Sequence, residues 1–233
     1  MLHGNTLAKS RARTLLVLPR TDILLPLSKL KFIIPGASSF MATIYMIRHG
    51  EAAAGWGVDL DPGLSEKGLS QAEAVAREIE ERVGRKLPLL SSPLRRCRET
   101  SVPLATKWDT EPRIETRVAE IPSPVEDLEK RGAWLLRVMS GTWDDAALPE
   151  NTGNGAVDLL GWRKSVADAL TELKEDTVIF SHFIAINVAA GWATDDNRLV
   201  TFRPDNCSLT VFETDGSALR LVEKGREAET KVN

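Results

Sequence analysis

Thr43-Ile44-Tyr45-Met46-Ile47-Arg48-His49-Gly50-Glu51 decides the reading of this chain. Its first five residues are a short β-prone run, and Arg48-His49-Gly50 follows at what would be the C-terminal end of a strand. Ligands of open α/β sheets bind at that edge, and a glycine there lets backbone approach a ligand closely. A second histidine has the same placement: Val178-Ile179-Phe180-Ser181 reads as a strand and His182 follows it. The chain has three histidines, so two of the three end strands. A lone strand-end histidine is more often a structural hydrogen-bonder than a catalyst. Two of them, with the basic run Ser92-Pro93-Leu94-Arg95-Arg96-Cys97-Arg98 after another strand, exceed what a solvated helix face explains.

Outward from these points, strand-length apolar runs alternate with stretches of helical period. That is the pattern of an α/β, three-layer αβα sandwich with a mostly parallel central sheet and helices on both faces. From Ser65, the positions Leu69, Ala72, Val75, Ala76, Ile79 and Val83 predict one buried helix face, capped by Ser65 and ended by Gly84. Leu87–Leu90 reads as a strand, and Pro93 opens a helix to about Ala105. A strand is expected from Arg113 to Ala119, helices near 125–138 and 155–173, and a helix from about Ile184. A hairpin, Ser208–Phe212 with Leu219–Val222, turns at Asp215-Gly216.

Composition excludes several classes. The 233 residues suffice for a sizeable core, and a formal net charge of −3 offers no excess of basic residues for nucleic acid or an anionic membrane. No apolar run approaches the roughly 20 residues needed to span a bilayer. Cys97 and Cys207 stand far apart, so neither a disulfide framework nor thiolate zinc is indicated, and no metal-ligand motif or cofactor signature is present. A cytoplasmic protein of unspecified oligomeric state is expected. Residues 1–40 differ: six Lys/Arg stand against one acid, Asp22, about +5 where the remainder carries about −8. This stretch is either a transit-like leader, which would leave organellar targeting open, an accessory segment, or an upstream translation preceding a true start at Met41. It is set aside from the core domain, residues 41–233.

With these residues in place, the chain resembles the histidine phosphatase superfamily, which includes the cofactor-dependent phosphoglycerate mutases. Ile47-Arg48-His49-Gly50-Glu51 matches its signature. Leu64-Ser65-Glu66-Lys67-Gly68-Leu69-Ser70-Gln71-Ala72 is similar to its L-[ST]-x-x-G-x-x-Q-A segment, and Ser92 through Thr100 to its S-x-L-x-R-[AC]-x-x-T segment. The resemblance implies that His49 accepts the phosphoryl group, that Arg48, Arg96 and His182 surround it, and that a carboxylic acid protonates the leaving group. Glu120 in Val118-Ala119-Glu120-Ile121-Pro122 is the candidate acid, with an ordinary surface glutamate as its rival.

The physical needs agree: a phosphomonoester carries about −1.5 to −2 charge, so a pocket without metal must supply fixed cationic donors, and paired arginines do so in fork geometry. The expected function is a metal-independent phosphatase working through phosphohistidine on a small phosphorylated substrate or a phosphoprotein. Mutase-like phosphoryl transfer and a non-catalytic phospho-ligand-binding module are the alternatives. The short core favours phosphatase over mutase. Two departures concern the substrate: Gly55 stands where the family commonly has Asn, and Phe183 follows His182 where Gly is usual, its ring either walling the pocket or entering the core. Cys97 reads as a structural residue, and none of the tryptophans is assigned to the site.

Overall fold

The computed structural model describes residues 41–55 and 58–228; the leader expected over residues 1–40 lies outside the described residues. Six strands form one mixed sheet in the order β3-β2-β4-β1-β5-β6. They are β1 (Ala42–Arg48), β2 (Leu89–Ser91), β3 (Arg113–Ile114), β4 (Thr177–Ser181), β5 (Leu209–Thr214) and β6 (Leu219–Glu223). β1, β4, β2 and β3 run parallel, while β5 and β6 join the far side of β1 as an antiparallel hairpin.

Period-two alternation sends side chains of the central strands to opposite layers. Ile47, Val178 and Phe180 pack with Val75, Ile79, Leu104 and Trp108, from helices α1 (Glu66–Val83) and α2 (Arg95–Trp108). Ile44, Met46 and Ile179 pack on the other face with Leu170, Ile186 and Ala189, from α6 (Leu159–Thr171) and α7 (Phe183–Thr194). Side chains of this size contribute about 1.5–3 kcal/mol each when fully buried. The three-layer αβα arrangement is therefore as expected. α3 (Leu128–Met139) and α4 (Trp143–Ala146) join a satellite core around Trp134, Trp143 and Phe183, and α5 (Pro149–Thr152) follows α4. No helix among the described residues is long and apolar enough to cross a membrane.

Several expectations need correction. α1 is capped by Ser65, whose side chain accepts from Gly68 N–H, and ends at left-handed Gly84 as predicted. Leu69, placed on its buried face, is 51% exposed; Gly68 takes that place in the interior because backbone, not a side chain, packs there. α2 starts at Arg95, two residues beyond Pro93, and runs through Pro103 to Trp108. The strand expected over Arg113–Ala119 pairs only at two residues. Glu115 then turns the chain, its side chain accepting from Arg117 N–H and opening a single 3-10 turn at Thr116–Val118. The helices expected near 125–138 and 155–173 are shorter, starting where Asp127 and Asp158 cap them. Two four-residue helices, α4 and α5, are too short for periodicity to reveal.

Candidate active site

The parallel register of β1 and β4 aligns Arg48 with Ser181, so the next residue of each strand is a histidine and the two come to lie side by side. Their ring centroids are 5.2 Å apart in an edge-on arrangement. The backbone leaving β1 is fixed on every side. His49 N–H donates to Ser181 O at 3.0 Å and Cys207 N–H to Arg48 O at 3.0 Å. Asn206 Nδ2 donates to His49 O at 2.9 Å, and Gly50 N–H donates to Thr100 Oγ1 at 3.0 Å.

The second motif exists to receive this loop. Glu51 N–H donates to Gln71 Oε1 at 2.8 Å, Ser65 Oγ donates to Glu51 Oε1 at 2.9 Å, and Gly50 and Gly68 meet backbone to backbone. A Cβ on Gly50 would stand 2.6 Å from Gly68 O, and one on Gly68 would overlap Glu51 O. In an open helix Gly→Ala gains about 1 kcal/mol. Here the overlap is with backbone that cannot rotate away, and overpacking costs typically 1–3 kcal/mol or more. Gly68→Ala is therefore expected to lower stability by about 2 kcal/mol, read as a reduced urea midpoint at unchanged slope.

Arg96, buried on the first turn of α2, donates to both rings: Nε to His49 Nε2 at 3.2 Å and Nη2 to His182 Nδ1 at 3.2 Å. A guanidinium only donates, so each of those nitrogens carries a lone pair. His49 then holds its proton on Nδ1, donating to Gly50 O at 2.7 Å, and His182 on Nε2, donating to Ser92 Oγ at 2.7 Å. Burial drives both imidazoles well below 6.5; Arg48 and then Arg96 add to this at His49, and Arg96, His49 and Arg48 at His182. Both rings are neutral at pH 7.

This has a consequence for stability. Between pH 6.5 and the depressed folded values the unfolded chain binds more protons at these histidines than the folded one, so folding weakens as pH falls below 6.5. Glu120, whose folded value is raised, opposes this with one proton against two. The unfolding free energy from urea titration is expected to fall between pH 7 and pH 5.5, by at most about 2.7 kcal/mol per pH unit from the two histidines, less whatever Glu120 offsets.

Arg48 donates through Nη1 to Pro204 O at 2.9 Å and lies 5.2 Å from the centroid of the Phe183 ring. Phe183 is fully buried, so its ring enters the core with Arg48 stacked on it. Glu120 follows the 3-10 turn rather than a strand; Oε1 accepts from Ile121 N–H at 3.0 Å, and Oε2 is shut off from water with no protein partner. Burial raises this carboxyl above its ordinary value, against the opposing pull of its Ile121 hydrogen bond, Arg96 and Arg48.

Arg48, His49, Arg96 and Glu120 line one cavity of about 720 Å³, together with Gly55 and Trp134. His182 does not line it; fully buried, it lies behind His49 and Arg96, which do. Cys97 Sγ lies 3.3 Å from His182 Nε2, but complete burial pushes the thiol far up and keeps it protonated.

A family model described as the histidine phosphatase superfamily (branch 1) matches residues 44–226. The chain belongs to this superfamily. Solved structures share the fold. One titled mycobacterial hydrolase 1 superimposes with a TM-score of 0.61 at 22% identity, over 80% of this chain and 100% of that one. A phosphoserine phosphatase mutant from Entamoeba histolytica, in complex with phosphoserine, gives 0.60 at 22%, over 78% and 95%. A phosphoglycerate mutase from Bacillus anthracis gives 0.57 at 15%, over 79% and 92%. No curated protein matches the sequence.

Of the candidate residues, Arg48, His49, Arg96 and Glu120 line the cavity together, and His182 stands behind them. Sequence reasoning missed Asn206, which holds the His49 carbonyl, and Trp134, which lines the wall. Ser92 and Thr100 lay within the motif already quoted, and their bonding to His182 and Gly50 is visible only in three dimensions.

Proposed function

We propose that this protein is a phosphomonoester phosphatase that carries the phosphoryl group on His49, without a metal ion. The observation that carries the reading is the His49 ring itself: neutral, with Nδ1–H pinned to Gly50 O, and Nε2 bearing its lone pair on the cavity side beside Arg96. That is the state an imidazole needs to attack phosphorus.

In the first step His49 Nε2 forms the N–P bond as the ester P–O bond breaks, and the leaving oxygen takes the proton of Glu120. Arg96 exchanges its hydrogen bonds to the rings for bonds to phosphoryl oxygens, with Arg48 alongside, spreading the charge that develops there. In the second step water attacks phosphorus, gives its proton to the Glu120 carboxylate, and the N–P bond breaks to leave phosphate and neutral His49. The raised carboxyl suits both halves, as proton donor and then acceptor. His182 positions Arg96, and Ser92 fixes its tautomer.

A small phosphoester fits the cavity. The test is hydrolysis of an aryl phosphate by the full chain in EDTA: activity that survives chelation supports the reading. Activity that appears only on adding a divalent metal overturns it. Phosphate binding without turnover would favour a phospho-ligand-binding module.

A further inference from the structure

Arg131 is a cation placed against the preferences of its own helix. It is the fourth residue of α3, in the N-terminal turn where the helix dipole disfavours positive charge. With Trp134, Leu135 and Val138, the buried residues of α3, it shares spacings of three, four and seven and so sits on the inward face. There it lines the cavity with Trp134 and Leu135.

The other cations of the wall are engaged. Lys67 pairs with Glu51 at 2.8 Å and Arg226 with Asp205 at 3.5 Å, while Arg96 holds the two histidines and Arg48 donates to Pro204 O. The wall's remaining carboxylates also have donors: Asp59 accepts from Asp61 N–H, Glu227 from Arg203 N–H and Glu120 from Ile121 N–H. Of the five cations on this wall, Arg131 alone, among the described residues, has no side-chain partner and engages only its backbone N–H, with Asp127 O. A partly buried guanidinium on the wall of this pocket, ion-paired to none of the wall's carboxylates, lacks an anion.

We propose that Arg131 receives a second anionic group on the leaving-group side of the substrate, so that the preferred substrate is a phosphomonoester with a further carboxylate or phosphate. This rests on the phosphatase reading above. The leaving group spans from the phosphorus at His49 to α3, its apolar portion against Trp134 and Leu135, and the guanidinium fork grips the distal anion in two parallel hydrogen bonds.

The test uses matched esters on the full chain. 3-Phosphoglycerate against glycerol 3-phosphate exchanges a carboxylate for a hydroxymethyl group, and fructose 1,6-bisphosphate against fructose 6-phosphate adds a phosphate. In at least one pair the acid-bearing ester should have the higher kcat/KM, and Arg131→Met should cut that preference about tenfold, with Arg131→Lys restoring part of it. The responding pair identifies the anion. A variant that lowers both members of a pair alike, leaving the ratio untouched, marks Arg131 as structural and overturns the proposal, as does a parent enzyme with no preference in either pair. If the parent hydrolyses neither the aryl phosphate nor any of the four, the phosphatase reading fails separately. Calorimetric binding of the same pairs to the parent and Arg131→Met then decides the subsite by the same ratio.

Discussion

His49→Ala should lower phosphomonoester turnover by at least about 10⁴-fold, because it removes the atom proposed to form the bond to phosphorus and leaves no substitute in reach. His182 cannot replace it: that ring is fully buried and presents its lone pair to Arg96. The loss should fall on kcat far more than on substrate affinity, since the two arginines that would hold the phosphoryl group stay in place. Rapid acid or alkaline quench after mixing with labelled substrate separates the mechanisms. Label that is stable in alkali and lost in acid marks phosphohistidine in the parent, and it should be absent from the variant. A variant that keeps more than about a tenth of the parent rate would remove His49 from the chemistry.

Glu120→Gln should cost about 10²- to 10⁴-fold with alkyl phosphates, whose alkoxide is too poor a leaving group to depart unprotonated. With 4-nitrophenyl phosphate the first-step loss should be much smaller, because nitrophenolate leaves without help. The pH dependence carries the sign. Burial holds the Glu120 proton above the ordinary 4.5, so the acid form persists to higher pH and kcat/KM for alkyl esters should decline as pH rises through the raised value. In the variant that alkaline limb should flatten. Equal losses on alkyl and aryl esters would argue that the carboxylate acts in dephosphorylation alone, and no loss on either would make Glu120 structural.

Much of this was legible before any coordinates, for reasons that differ by residue. β1 and β4 announce themselves because central strands of a parallel sheet are apolar on both faces, and their ends carry the histidines. α1 is legible through its two caps, Ser65 and Gly84, which act over one turn. Leu69 misleads because periodicity assumes that the inward face packs side chains, whereas Gly68 packs backbone against Glu51. β3 was overextended because pairing with the three-residue β2 limits it to two residues, a property of the neighbour and not of the segment. Glu120 is a candidate from its place at the end of an expected strand, and the structure puts a 3-10 turn before it instead. Asn206 lay just before β5, but its partner, the His49 carbonyl, is 157 residues away in sequence, and no local signal connects them. The fate of Phe183 turned on a stacking partner, Arg48, equally beyond local reading.

The hold of Arg96 on both imidazoles has a wider meaning for how such a site can fail. Burial, helped by Arg96 and Arg48, denies a second proton to both rings, which on the proposed mechanism keeps a nucleophile ready and forfeits any reserve acid. Cys97, the other ionisable group within reach, keeps its proton too tightly to lend it. A phosphatase of the proposed kind would then have no understudy for the proton it must deliver: the same enclosure that readies its nucleophile leaves it dependent on a single carboxyl.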